Sequence, residues 1–401
     1  MTVKQIYELM NTVTGEVLGK TDLVAEDLSN VVDVGTEVFN ATAVDNYVKT
    51  LVNHIGKVIF VNRPYSGKIP SVLMDSWEFG SVLEKISCDT PAAEENESWD
   101  LVDGQEYKQD IFYKPTVSAK FFNSKVTFEV PMSFTEKQVK ESFSNAAQLN
   151  GFISMIYNAV DRSMTIKIDG LVMRTINSMI AQTLNADKTA FAGGYGTAST
   201  ARCVNLLKLY NDKFFPATGS TANPDALTAD KAIYDPDFIR FASYTMGVYI
   251  DRLASISTLF NVGGKDRFTD AANLHVIMLS EFAKGADVYL QSDVRHNELT
   301  RLPNYETVPY WQGSGQNYEF DSTSAINVKI DASTTVYIDG IVGVMFDRDA
   351  LGVSNLDRRV TTAYNAKAEF FNNYYKFDAG YFNDTNENFV VFFVSDEKTG
   401  S

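Results

Sequence analysis

Cysteine is nearly missing: Cys88 and Cys203 are the two in 401 residues. They lie far apart and match no metal-binding or redox spacing, which excludes a disulfide framework and a Cys-based zinc site. Both are expected to be reduced, buried thiols of a cytosolic product. Histidine is almost as scarce, with only His54, His275 and His296. No H-E-x-x-H occurs, so a zincin-type metal site is excluded. His275 falls inside the apolar run "LHVIML" and is expected to be a packed strand residue rather than a catalyst. The glycine-rich stretch "FAGGYGTAS" lacks the G-K-[ST] ending of a phosphate loop, and "GGKDRFTD" lacks the strand and loop that should precede one. No G-x-S-x-G elbow is present. No apolar run reaches membrane-spanning length, and residues 1–10 lack a signal-peptide core. Positive charge is also short: 35 Lys and Arg against 51 Asp and Glu give a net charge of −16. That balance argues against tight, sequence-reading contact with nucleic acid. It is compatible with plain solubility, or with a surface that meets nucleic acid without gripping it.

What is present is a folded chain. Hydrophobic residues make up 45% and charged residues 21%, and the length allows two or more domains. Aromatics are abundant, with 27 Phe and 20 Tyr, many in strand-like runs that suit packed β surfaces or wide interfaces. The acidic cluster Glu94, Glu95, Glu97, Asp100 and Asp103 could attract a divalent ion. It lacks the spaced ligands and mid-loop glycine of an EF-hand, so a solvated charge run is the reading. No catalytic, cofactor-binding or metal-ligating constellation emerges.

The strongest pattern is a stripe at helical spacing: Leu149, Ile153, Ile156, Val160, Met164, Ile168, Val172, Ile176, Ile180 and Leu184. A continuous helix over 148–184 would be about 55 Å long at roughly 1.5 Å per residue. The β-branched "TIKI" and the turn pair Asp169-Gly170 mark a possible break, and the alternative of an interruption near Gly170 stays open. The stripe's mean step slightly exceeds 3.6, so it drifts round the helix.

Around this rod the sequence changes character. "VKQIYELM" predicts a short helix, followed by a polar connector with Gly15 and Gly19. "DNYVKTLVNHIGKVIF" predicts a helix from an Asp45 cap to Gly56, then a short strand. "SWEFGSV" and "KVTFEV" alternate with period two, the second with Val126, Phe128 and Val130 around Thr127 and Glu129. With the acidic, turn-rich "CDTPAAEENESWDLVDGQEY" between them, they predict a long two-stranded excursion. An isolated hairpin is marginal in water, so this one needs something to lie on. "PMSFTEKQV" carries overlapping capping boxes, Ser133 with Glu136 and Thr135 with Gln138. Residues 200–338 predict a compact α/β or α+β domain, including a helix started by Asp235 and Pro236 and one begun by Ser280. "GIVGVMF" and "ENFVVFFVS" predict buried strands in a strand-rich C-terminus that returns to pack on the long helix.

This order of parts resembles the tailed-bacteriophage major capsid protein, the Hong Kong 97-like fold, an α+β architecture. The likeness covers nearly the whole chain and lies in order and local character. Its most specific part is "RRVTTAYNAKAEFFNNYYKFDAGYFNDTNENFVVFFVS", similar to the family's closing sheet. "YVKTLVNHIGKV" is similar to a run in capsid proteins of small short-tailed phages. The resemblance implies an N-terminal arm (1–60), an extended E-loop (61–133), a peripheral domain with a spine helix (134–199), an axial domain (200–338) and return strands completing the peripheral domain (339–401).

It further implies a non-enzymatic shell protein that encloses a double-stranded DNA genome and needs no cofactor. Its partners would be itself, in pentamers and hexamers, a separate scaffolding protein, a portal protein, and packaged DNA by weak non-specific contact. No membrane partner is implied. The location would be the virion, after assembly in the host cytoplasm. The E-loop would lie over a neighbour's peripheral domain, with Trp77, Glu94, Glu95, Glu97, Trp99, Arg358 and Arg359 as inter-subunit contacts. Arg358 and Arg359 are expected to pair with acids of neighbours. Some relatives begin with a cleaved scaffolding segment; nothing ahead of the arm matches one, so scaffolding is expected to be separate or absent. Some relatives form Lys–Asn links between subunits. Lys68, Lys85 and Lys108 lie in the E-loop region, but no acceptor is identifiable and that chemistry is not carried over. The alternatives are an encapsulin-type compartment shell, whose chains are usually shorter, an α/β enzyme with an unrecognised site, and another virion component.

Overall fold

The computed structural model describes residues 3–19, 24–40, 47, 50–51, 69–74, 83–88, 91, 93, 95–107, 112, 114, 116–142, 144–217, 223–291, 305–313 and 319–396. These residues form a mixed helix and sheet architecture with thirteen strands among them, as an α+β chain should. Two compact units are built from interleaved segments.

The first unit comprises Met1–Ser81, Lys125–Val172 and Val353–Gly380. Its opening helix, Val3–Leu18, is twice the length of the "VKQIYELM" expectation. Ile6, Leu9, Met10 and Val13 form its buried stripe. The Thr12 and Thr14 hydroxyls donate back to the Glu8 and Met10 carbonyls one turn earlier, which satisfies them within the helix, and the buried stripe carries the helix through these weak helix formers. Gly19, at φ +66°, ends it with its N–H on the Gly15 carbonyl. A second helix, Val31–Asn40, occupies part of the expected polar connector. Of "DNYVKTLVNHIGKVIF", Tyr47, Thr50 and Leu51 are helical, and the proposed caps Asp45 and Gly56 lie outside the described residues. Tyr47 is buried, with its hydroxyl 3.3 Å from that of Thr14.

A four-stranded sheet in this unit has the order β1 (Leu73–Met74), β11 (Leu351–Asn365), β12 (Phe370–Asn383), β4 (Lys125–Thr135). The period-two alternation of "KVTFEV" produces its one covered face. Val126, Phe128, Val130, Met132 and Phe134 of β4 stand opposite Ala379, Phe377, Tyr375, Asn373 and Phe371 of β12. The open face carries a polar ladder: Thr127 donates to Asp378 at 2.5 Å, Lys376 pairs with Glu129 at 3.2 Å, and Ser133 donates to Asn372 at 2.6 Å. The β4 segment, expected to belong to the two-stranded excursion, therefore joins this sheet. Alternation fixes which face is covered but not which strand is the partner.

The expected short helix is Glu136–Ser142, and the long helix is Ala146–Ala186, 41 residues without a break. All ten residues of the predicted stripe are 2% exposed or less. Gly170 interrupts nothing, and no atom approaches within 4 Å of where its Cβ would stand. Burying each large apolar side chain contributes about 1.5–3 kcal/mol, against about 1 kcal/mol lost at a helical glycine. The stripe therefore overrides the local turn signal. Near its start the helix meets the sheet through Phe152, edge-on to Phe134 of β4 at 5.5 Å.

The second unit comprises Val82–Ser124, Met173–Gly352 and Tyr381–Ser401. Its centre is a five-stranded sheet ordered β5 (Cys203–Asn205), β13 (Phe389–Phe393), β10 (Ile341–Asp347), β6 (Leu274–Leu279), β7 (Glu306–Val308). β13 is buried throughout and β10 nearly so, which matches their unbroken apolar runs. The expected return of 339–401 is thus divided: β11 and β12 join the first unit's sheet, while β10 and β13 complete this one. Helix Pro236–Ala254 starts as predicted, with Asp235 accepting from the Phe238 N–H at 2.8 Å and Pro236 at the first helical position. The "FAGGYG" loop is held by packing of Phe191, Tyr195 and Phe393 and by the Asn205 amide donating to the Tyr195 carbonyl.

Candidate assembly surface

The excursion between the long apolar runs is a hairpin of β2 (Leu83–Cys88) and β3 (Val117–Phe122), paired antiparallel. Its faces are inverted. Glu84, Ile86 and Cys88 with Val117, Ala119 and Phe121 form the exposed face, four of the six apolar. The other face holds Lys85 opposite Lys120 and Ser87 opposite Ser118, the two serine hydroxyls 3.0 Å apart, with Leu83 opposite the buried Phe122 at the root. An ordinary half-buried strand turns its apolar side inward. Here the ionic side faces the chain and the apolar side faces out.

The ionic side is anchored to the turn between β12 and β13. Lys85 Nζ lies 3.1 Å from Asp384 and 2.7 Å from Glu387, and Lys120 Nζ lies 2.9 Å from Asp384. Arg267 reaches Glu387 at 3.2 Å. Burial works against the Asp384 charge. The Lys120 hydrogen bond, the Asn386 N–H and both ammonium groups outweigh it, and the carboxyl titrates below its ordinary range. Burial also disfavours the Lys85 charge, but the Glu387 and Asp384 carboxylates outweigh it and push that pKa up.

Beyond the strands the apolar exposure continues. Among the described residues, Trp99, Leu101, Val102, Tyr107 and Phe112 are exposed along with Ile86, Val117 and Phe121. Trp99 is 95% exposed. Eight large apolar side chains thus stand exposed on this one segment, which makes it the candidate contact site. Glu95, Asp100 and Asp103 are exposed around it.

The predicted contact residues are scattered over this picture. Glu95 and Trp99 lie exposed on the excursion, and Glu97 begins the short 3-10 turn Glu97–Trp99, its side chain outside the described residues. Trp77 and Glu94 also lie outside the described residues. Arg358 is a β11 residue whose side chain is not described. Arg359 meets an acid of its own chain: its guanidinium pairs with Asp378 on β12 at 2.9 Å. Lys85 is engaged with Asp384 and Glu387, while Lys68 and Lys108 lie outside the described residues. Sequence reasoning missed Ile86, Val117 and Phe121, although the inverted alternation "LEKISC" against "VSAKFF" carried the signal.

No chemistry converges elsewhere in the described residues. None of their His, Cys, Asp and Glu are grouped to hold a metal ion. Cys203 is buried, and burial pushes its thiol pKa up, so it is inert. Cys88 departs from the expected buried thiol and is exposed at the end of β2. His275 packs beside Phe346 with ring centroids 5.7 Å apart, as a strand histidine should. An open groove of about 720 Å³ in the second unit is lined by Tyr244, Tyr249, Arg252, Ile256 and Leu259 among others, with no acid, histidine or cysteine. No helix of the described residues is long and apolar enough to cross a membrane.

The family model of the Phi29-like phage major capsid protein matches residues 10–393. The chain belongs to that family. It is therefore a capsid shell protein of a tailed phage, located in the virion, and the compartment-shell and enzyme alternatives are not favoured. No curated protein matches in sequence. Among solved structures, the capsid of Staphylococcus phage Andhra is similar at 8% identity and TM-score 0.46, over 81% of this chain and 83% of that one. A chain from the structure of the head fiber and inner core protein gp22 of native bacteriophage P68 gives 7% identity and TM-score 0.49, over 82% and 84%. The capsid of Cyanophage P-SCSP1u gives 9% and 0.43, over 81% and 87%. Family membership rests on the sequence model and not on these superpositions.

Proposed function

We propose that the inside-out hairpin and its tip are the part of this capsid protein that seats on a second copy. The observation that carries this is the exposed apolar face of Ile86, Val117 and Phe121, continued by Trp99, Leu101 and Phe112. Burying that surface in the free subunit is prevented by the ionic root, so a neighbour must supply the cover. A shell repeats this contact many times, so each can be individually weak.

In this reading the chain has the Hong Kong 97-like organisation. Residues 1–60 act as an arm, the extended loop ends near residue 124, and β4, β11 and β12 belong with the start of the long helix in the peripheral part. β5, β6, β7, β10 and β13 form the axial part that meets copies around five- and six-fold axes. The sheet orders support that division. Pentamers and hexamers would form in the host cytoplasm around a separate scaffolding protein and a portal protein. The net charge of −16 supports only weak, non-specific contact with packaged double-stranded DNA. No role as an enzyme is proposed.

The test combines negative-stain electron microscopy with thiol labelling of the full chain, alone and with a candidate scaffolding protein. Closed shells or capsomer-sized rings are expected. Cys88 should react with a maleimide in free subunits and be protected in shells, while buried Cys203 stays silent in both. Trp99→Ser with Phe121→Ser should fold normally and assemble poorly. Equal Cys88 labelling in subunits and shells, together with normal assembly of that double variant, would overturn the proposal.

A further inference from the structure

Lys85 and Lys120 face each other directly across the hairpin register, on the same side. Like charges so placed repel and weaken strand pairing. What offsets them is one turn. Asp384 accepts from both ammonium groups' side of the pair, and Glu387 takes Lys85 again. The remaining groups around this root are Arg267, which pairs with Glu387, the Asp349 carbonyl, which accepts from Lys85 at 3.3 Å, and Asp347, which accepts from the Thr269 hydroxyl. Three cations thus meet at two nearly buried carboxylates. The turn is itself fixed: the Asp384 N–H donates to the Ala350 carbonyl at 2.6 Å and the Asn386 N–H donates to Asp384 Oδ1 at 3.1 Å. Apolar support at the root comes from Phe122 against Phe382, centroids 5.1 Å apart.

We infer that the Asp384–Glu387 turn is a charge clasp that sets the pose of the hairpin. With Asp384 ionised, Lys85 and Lys120 are held side by side and the hairpin root is fixed. With Asp384 uncharged, the two lysines repel across the register, so the strands separate as the root lets go. Asp384 and the two lysines are positioning residues for the apolar face. The shifts of Asp384 and Lys85 keep the clasp closed through neutral pH and open it in acid, below the ordinary carboxylate value of 3.8. The clasp is a property of the subunit; its use in assembly rests on the reading of the hairpin given above.

Hydrogen–deuterium exchange on the full-length protein at neutral pH tests it. Asp384→Asn removes the charge but keeps an oxygen for the Asn386 N–H. Amides of 83–88 and 117–122 should exchange at least roughly tenfold faster, as for loss of a charge-assisted hydrogen bond, while β6, β10 and β13 keep their protection. Adding Lys120→Met should restore part of the hairpin protection, because the repulsion is then gone. A merely structural Asp384 would give additive loss. Unchanged hairpin protection in Asp384→Asn, or no rescue by the second change, would overturn the clasp. Loss and rescue of protection with Cys88 still labelled in shells would leave the clasp standing and remove the docking role.

Discussion

Thr135 and Gln138 cap each other. The Gln138 N–H donates to Thr135 Oγ1 at 3.2 Å, and the Thr135 N–H donates to Gln138 Oε1 at 2.9 Å. This reciprocal box sits where β4 ends and helix Glu136–Ser142 begins, so it turns the chain from the sheet edge toward the long helix. Thr135→Ala should lower subunit stability by about 0.5–2 kcal/mol, and Thr135→Ser by much less. Urea unfolding of the free subunit measures both; equal effects of the two would contradict a capping role.

The box was legible because it is a local code. Two boxes overlapped in "SFTEKQ", and the ladder decides between them: Ser133 is spent on Asn372, leaving Thr135 free to cap. The same locality made the Asp235–Pro236 start and the ten-residue stripe readable. Strand partners were not local. "KVTFEV" announced a covered face, yet nothing in it says that β12 lies alongside, some 250 positions later. The clasp was illegible for a related reason: Lys85, Lys120 and Asp384 become neighbours only after two sheets have formed. The hairpin's inversion could have been seen, because "LEKISC" and "VSAKFF" put both lysines and both serines on one parity, with Leu83 and Phe122 at its end, and Ile86, Val117, Ala119 and Phe121 on the other.

Ile166 and Ile168 stand two residues apart on the long helix with opposite fates. Ile168 is 1% exposed and Ile166 64% exposed. Ile168→Ala should cost about 2–5 kcal/mol by leaving a cavity, whereas Ile166→Ala should stay within about 0.5 kcal/mol. Thermal unfolding of the two variants side by side checks this. Comparable losses at both positions would mean that the stripe does not define the buried face.

His275 offers a pH test. Burial holds its imidazole below the ordinary pKa of 6.5; Glu306 and Asp347 pull the other way, and Arg348 adds to the lowering. The folded protein therefore keeps it neutral where the unfolded chain has taken a proton. Its contribution is fully present above about pH 6.5 and is lost as pH falls through the lower folded value. One such group adds a slope of at most about 1.4 kcal/mol per pH unit. Wild type should lose stability from pH 6.5 toward 5 more steeply than His275→Gln. Parallel curves would show that this histidine does not titrate differentially.

Arg359 and Asp378 settle how a charge-reversal experiment on this face must be designed. Their pairing at 2.9 Å joins β11 to β12, and Thr127 of β4 adds its hydroxyl to the same carboxylate. Burial opposes the Asp378 charge, and the hydrogen bonds from Arg359 and Thr127 more than offset it, so its carboxyl titrates below the usual range. Arg359 is half exposed, so the pair contributes only about 0.2–1 kcal/mol. Arg359→Glu would set two carboxylates against each other and lower the melting temperature by a few degrees, roughly 2–4 °C per kcal/mol for a chain segment of this size. Particle loss in that variant alone would then reflect a weaker subunit as much as a lost neighbour. The exchange Arg359→Asp with Asp378→Arg separates the two causes. It should recover most of the melting temperature, and with it the yield of particles counted by electron microscopy. Recovered stability with particles still absent would mean that Arg359 also meets an acid on an adjoining copy.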